Sequence, residues 1–156
     1  MKQVLSIFLI LAFLVATPSA FALDYGITVK NSGDPCQNPN VAKSSAAVSL
    51  SSATTGTIVA GVTGKVIYVC DFTASLSGTA ANAVTAKLFS GATTTNPCDT
   101  SSADKTGTFT PTGAAGSPIH MGFGGTVFSV SSGKSLCSVT TGTSPGLYGS
   151  ITYVQQ

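Results

Sequence analysis

"GTIVAGVTGKVIYVC", Gly56–Cys70, is the stretch whose reading decides the fold. It holds two apolar, β-branched runs on either side of a "VTGK" turn, and neither run has helical spacing. A second stretch, "GTVFSVSSGKSLC", Gly125–Cys137, is close to it. Aligning Gly56 with Gly125 also aligns Lys65 with Lys134. Each unit is a Gly-Thr opening, a strand, a tight turn ending in Gly-Lys and a return strand. Gly64 and Gly133 stand where a turn needs a positive φ, which suits glycine. Each return strand leads to another Gly-Thr pair, Gly78-Thr79 and Gly142-Thr143, and then to a further strand. The expectation is one hairpin-plus-strand unit used twice, as in two Greek-key halves facing each other.

Period-two apolar runs continue outward from these units. "YGITV" alternates Tyr25, Ile27 and Val29, and "AAVSLS" aligns Ala46, Val48 and Leu50. "TIVAGV" places Ile58, Ala60 and Val62 on one face, and "NAVTAKLFS" places Val84, Ala86 and Leu88 on another. "VIYVCDF" is apolar on both faces and reads as a central strand. "PIHMGF" and "LYGSITYV" complete the pattern. The expected fold is all-β: a single-domain antiparallel β-sandwich, jelly-roll or Greek-key in type, with two disulfides.

The first residues read differently. Lys2, the apolar run Val4–Ala16 and "TPSAFA" with Ala20-Phe21-Ala22 form a secretory signal peptide over residues 1–22. The expected mature domain is 23–156, with no stable membrane span after cleavage and a secreted, periplasmic or cell-surface location.

Composition narrows the function. Charged residues are 8% of the chain, against roughly 25% in ordinary soluble domains. Arg, Glu and Trp are absent, and the lysines are scattered singly. Nucleic-acid binding needs clustered basic residues, so it is not expected. A surface of Ser, Thr, Asn and Gly on β-strands favours strand-to-strand or face-to-face association instead.

Four cysteines, Cys36, Cys70, Cys98 and Cys137, imply two disulfides in an exported chain. Their spacing lacks the paired C-x2-C of a zinc site, and no metal or other cofactor is expected. Cys36 and Cys98 lie in turn-rich loops, Asn31–Ser45 and Ser90–Gly107, while Cys70 and Cys137 lie in strands. Tying each loop cysteine to a strand cysteine favours Cys36–Cys70 with Cys98–Cys137. The swap, Cys36–Cys137 with Cys70–Cys98, satisfies the same logic.

Few residues suggest chemistry. "GTSPG", Gly142–Gly146, matches a nucleophile elbow in form, but Pro145 removes the oxyanion N–H and a strand follows, not a helix. His120 is the only histidine, and the strand pattern turns it away from Ile119, Met121 and Phe123; no carboxylate partner can be named for it. Asp99 and Asp104, with Ser101 and Ser102 between, make the one loop with calcium-like donors, without the acidic density of a strong site. No catalytic residue is expected. Four tyrosines sit in strand patterns, and hydroxyl-rich surfaces also bind sugars.

The signal peptide, Cys36, Lys65–Cys70, Gly91–Cys98, Gly124–Cys137 and the closing Gly149–Gln155 strand together resemble a group of small exported Gly/Thr-rich, four-Cys β-sandwich proteins. That group is found in phage-like and environmental bacterial sequences and has no assigned function. The resemblance implies a fold rather than an activity. The function expected is an exported, non-enzymatic structural or adhesive surface module that self-associates or meets a cell-surface or glycan partner. The alternative is a small lectin-like carbohydrate- or ligand-binding module.

Overall fold

The computed structural model describes residues 33–78, 84–91, 98, 103–110, 116–122 and 124–156. The signal-peptide residues, the "YGITV" run and Asp99 lie outside them. Nine strands are described: β1 (Ser44–Leu50), β2 (Thr55–Val59), β3 (Ile67–Ser77), β4 (Thr85–Gly91), β5 (Ala103–Asp104), β6 (Ser117–Met121), β7 (Phe128–Val130), β8 (Ser135–Thr141) and β9 (Gly146–Gln155). They form two antiparallel sheets. Sheet A runs β1-β9-β3-β6, with β7 pairing the other end of β3; sheet B runs β2-β8-β4-β5. The described residues contain no helix. The chain is an all-β sandwich.

The pairings are nested: β1 with β9, β2 with β8, β3 with β6 and β7, β4 with β5. Successive nested pairs alternate between the sheets. Phe72, Leu76, Ile151 and Val130 from sheet A meet Leu88, Leu136 and Val59 from sheet B in one buried cluster. Phe109, bridged to Ala86 on sheet B, stacks at 6.3 Å from Phe72 on sheet A. Full burial of side chains of this size contributes about 1.5–3 kcal/mol each.

The repeated units are found where the sequence places them, but they are not hairpins. The first unit begins on β2 in sheet B and returns on β3 in sheet A; the second begins on β7 in sheet A and returns on β8 in sheet B. Both turns are closed alike, Lys65 N to Val62 O at 3.0 Å and Lys134 N to Ser131 O at 3.0 Å. Gly64 and Gly133 carry φ of 81° and 73°, as a type II turn requires at its third residue. Beyond the turn each strand finds its ladder in the other unit. Thus β3 lies between β7 and β9, and β8 lies between β2 and β4. Each unit's middle strand is clasped by the other unit's first and third strands. The turns also touch: Gly133 N donates to Lys65 O at 3.2 Å, and Gly61 N donates to Ser135 Oγ at 3.0 Å. A Cβ on Gly61 would lie 2.5 Å from the Lys134 carbonyl carbon, so this approach needs glycine.

Two bulges correct the facing read from the sequence. The β2–β8 register shifts between Thr57 and Val59, so Val59 is buried while Val62 stays exposed. "TIVAGV" therefore does not place Ile58, Ala60 and Val62 together on the buried face. The β3–β9 register shifts between Val69 and Asp71. Before it Ile67 and Val69 enter the core; after it Phe72, Ala74 and Leu76 do. Cys70 is the extra residue, and an extra residue in one strand re-aims the side chains beside it.

Disulfides join Cys36 to Cys70 and Cys98 to Cys137, with Cα separations of 5.2 and 5.8 Å. Cys36 and Cys70 bury Val154 with Val41 and Tyr68 in a cluster apart from the main core, on the outer face of sheet A. Cys137 faces out from sheet B, between the inward-facing Leu136 and Ser138. Each bridge thus pins a loop to the outside of one sheet. Two disulfides fit an oxidising compartment, extracellular or periplasmic. No helix among the described residues is long and apolar enough to cross a membrane.

Candidate functional site

The bulge at Cys70 turns Asp71 toward the outer face of sheet A. There it meets His120, which the β3–β6 register sets opposite Thr73. His120 Nε2 lies 3.0 Å from Asp71 Oδ1. The Thr73 hydroxyl lies 3.5 Å from the other carboxylate oxygen. His120 therefore has a carboxylate partner, which the sequence pattern did not supply. This is a diagonal cross-strand pair, within reach of long side chains on neighbouring strands. Gly122 makes room for it: a Cβ there would lie 2.2 Å from Asp71 Oδ1. The pair is open to water, His120 57% and Asp71 42% exposed. Exposed pairs contribute about 1 kcal/mol or less.

Shallow open grooves lie on this side of the sandwich. One, of about 450 Å³, runs along β6 between Phe109 and Thr110 and the Ser117–Met121 strand. Another, of about 450 Å³, lies between Gln37, Met121 and the Gly125–Val127 segment. Asp34 closes the latter region. Its carboxylate accepts from Thr126 N at 2.8 Å, from the Thr126 hydroxyl and from Cys36 N at 2.9 Å. The Thr126 hydroxyl, then the Thr126 and Cys36 N–H groups, hold the Asp34 carboxyl below the usual aspartate range against the opposing pull of burial. Asp34 is a strap rather than a reactive group: it ties the loop of Cys36 to the residues entering β7.

The other singled-out residues fall elsewhere. Asp104 pairs with Lys87 at 2.9 Å across the β4–β5 edge, so its carboxylate already has a cation. Asp99, the other member of the calcium-like pair, lies outside the described residues. No group of three or more His, Cys, Asp or Glu side chains is gathered among the described residues. Ser144 sits at φ 49° in an exposed bend before Pro145, and β9 follows. Tyr68 and Tyr153 are partly buried against the two clusters, while Tyr148 stands 47% exposed on the outer face of sheet A. Its register partners there are Ser49 and Ser75.

The sheet edges differ from one another in a way the sequence did not show. An edge strand offers unpaired backbone groups, and proteins usually blunt it with a bulge, a proline, a charge or brevity. On sheet B, β2 is bulged. At the other side β5 has two residues, and Lys87–Asp104 spans the edge. On sheet A, β6 carries Pro118 and His120, and β7 has three residues. The remaining edge is β1, "SSAAVSL", seven residues without charge or proline. Its register with β9 is unbroken over Ser44–Leu50, and β9 is its only ladder partner among the described residues. Near the first described residue, Asp34 is strapped to Thr126, beside β7 and across sheet A from β1. Ala46 and Leu50 of β1 are only partly buried against the core.

Comparison of the chain with family models, curated proteins and solved structures finds no match.

Proposed function

We propose that this chain is an exported, non-enzymatic structural or adhesive module that associates with itself through its sheet edges. The observation that carries the reading is the contrast between β1 and the other edges: bulge, proline, brevity or charge blunts the others, and β1 has none of these. An unprotected edge is a liability in a chain meant to stay alone and an asset in one meant to pair. The low charge adds to this, since net charge is what keeps surfaces apart. The nested, sheet-alternating strand pairs support the jelly-roll form of the sandwich, a frame that exposes two broad faces and separate edges.

The test is the mass of the exported, oxidised protein by light scattering, with negative-stain images of the same sample. Defined oligomers are expected, stable to added salt because no ion pair is needed at an uncharged edge. A monomer at all concentrations would reject the reading. Tyr148 favours a second reading, carbohydrate binding: an exposed ring among Ser49, Ser75 and Ser150 can stack on a sugar while hydroxyls bond its edges. Glycan-dependent thermal stabilisation that Tyr148→Ala removes would support it.

A further inference from the structure

We infer that the partner of β1 is β1 of a second copy, paired antiparallel about a two-fold axis through Ala47. The inference rests on the self-association reading and specifies its geometry. Residues 44, 46, 48 and 50 of β1 face the core side, and 45, 47 and 49 face outward. In a sheet, a one-residue slip exchanges the two faces. A two-fold axis must therefore set inward residues against inward ones, so it passes through a residue position rather than between two.

Centring the axis on Ala47 uses the whole strand. Ser44 then opposes Leu50, Ser45 opposes Ser49, Ala46 opposes Val48 and Ala47 opposes itself. Moving the centre by one residue to Ala46 or Val48 leaves two residues of each strand unpaired. The outward pairs are Ser–Ser and Ala–Ala, and the inward pairs include Ala–Val, so no charge meets a charge. Lys43 falls opposite Ser51, clear of its symmetry mate. The core-side Ala46 of each copy meets Val48 of the other beneath the joint, and each Leu50 lies against the other copy's Ser44 at the two ends, so the new strand pair continues the core as well as the ladder. Sheet A becomes one continuous sheet through both molecules. Because the same strand is used on both sides, the contact is isologous and closes as a dimer.

The test uses the full exported protein with both native disulfides. Wild type is expected to be a dimer by light scattering. Ala47→Lys, on an exposed outward position, is expected to lower the association constant by about tenfold or more, because it sets two lysines directly against each other. Cysteine placement reads the register. Ala47→Cys is expected to give a covalent dimer on mild oxidation. Ser45→Cys is expected to do so only when mixed with Ser49→Cys. Ser150→Cys, on the neighbouring strand β9 and the same face, serves as the background. The inference is overturned if Ala47→Cys crosslinks no faster than Ser150→Cys. It is also overturned if wild type associates with a mass that Ala47→Lys leaves unchanged; in that case the self-association reading stands without this geometry. A monomeric wild type overturns both.

Discussion

The two edges of sheet A are built on opposite plans. At the β6–β7 edge the chain adds a proline, a His–Asp pair, a carboxylate strap and a disulfide within a short distance of β3. At the β1 edge the described residues add nothing: seven uncharged residues run straight against β9. The core is shared, so the difference is not one of burial. Among the described residues, the fold's elaboration lies at the β6–β7 side, and the plain edge is the one that the proposed self-association would use. Four predictions test that contrast, taken in order of their expected effect on stability.

Breaking the Cys36–Cys70 bridge has the largest. Removing a crosslink that closes a loop of 34 residues is expected to cost about 4 kcal/mol. Cys36→Ser with Cys70→Ser should therefore lower the midpoint of thermal unfolding by on the order of 10 °C. Cys98→Ser with Cys137→Ser closes a similar span, 39 residues, so chain entropy alone predicts nearly equal losses. A larger loss from the first pair would measure what the bridge adds by burying Val154 and Tyr68.

Gly122→Ala comes next. Its Cβ would collide with the Asp71 carboxylate, and glycine's φ of 154° there suits no other residue well. The expected cost is about 1–3 kcal/mol by denaturant unfolding. Part of it should vanish in an Asp71→Ala background, where the carboxylate is no longer in the way. Equal losses in both backgrounds would place the strain in the backbone and remove Gly122 from the Asp71–His120 pair.

These features differ in how far the sequence reveals them. The strands β1 and β4 follow from period-two runs, β3 follows from a run apolar on both faces, and the pairing of each loop cysteine with a strand cysteine follows from where Cys36, Cys70, Cys98 and Cys137 lie. The crossing of both Gly-Lys units between sheets does not, because a turn with the same hydrogen bond closes either a hairpin or a corner. Only the partner strands decide, and they are remote in sequence. The Asp71–His120 pair is hidden for two reasons. Its members are 49 residues apart, and the bulge at Cys70 breaks the alternation that would have aimed Asp71. The open edge at β1 is hidden because being an edge is a property of topology; "SSAAVSL" reads the same in the middle of a sheet.

Asp34 gives a smaller, pH-dependent effect. Its folded-state carboxyl titrates below its unfolded value, which for aspartate is about 3.9. The stability it contributes is therefore fully present above that pH and is lost as the pH falls through the lower folded-state value. In Asp34→Asn that contribution is absent at every pH. The difference in denaturation midpoint between wild type and variant should be constant from about pH 6 to pH 5 and shrink steadily toward pH 2. A difference that held constant into acid would mean that Asp34 acts only as a neutral hydrogen-bond acceptor for Thr126.

Ala47→Lys has the smallest effect on the monomer and the most to say about the plain edge. Ala47 is exposed and faces outward, so stability should change by no more than about 0.5 kcal/mol. The informative comparison is with Ser150→Lys. Ser150 is the register partner of Ala47 on β9 and is exposed on the same face, but it stands one strand further in. Both variants add one positive charge to the same surface within about 5 Å of each other. If molecules meet edge to edge, Ala47→Lys dissociates them and Ser150→Lys does so far less. If they meet face to face across the outer surface of sheet A, both variants dissociate them alike. A simple rise in net charge would also act equally at both positions and weaken with salt. Only unequal effects, with Ala47→Lys much the larger, identify the backbone edge of β1 as the surface in use.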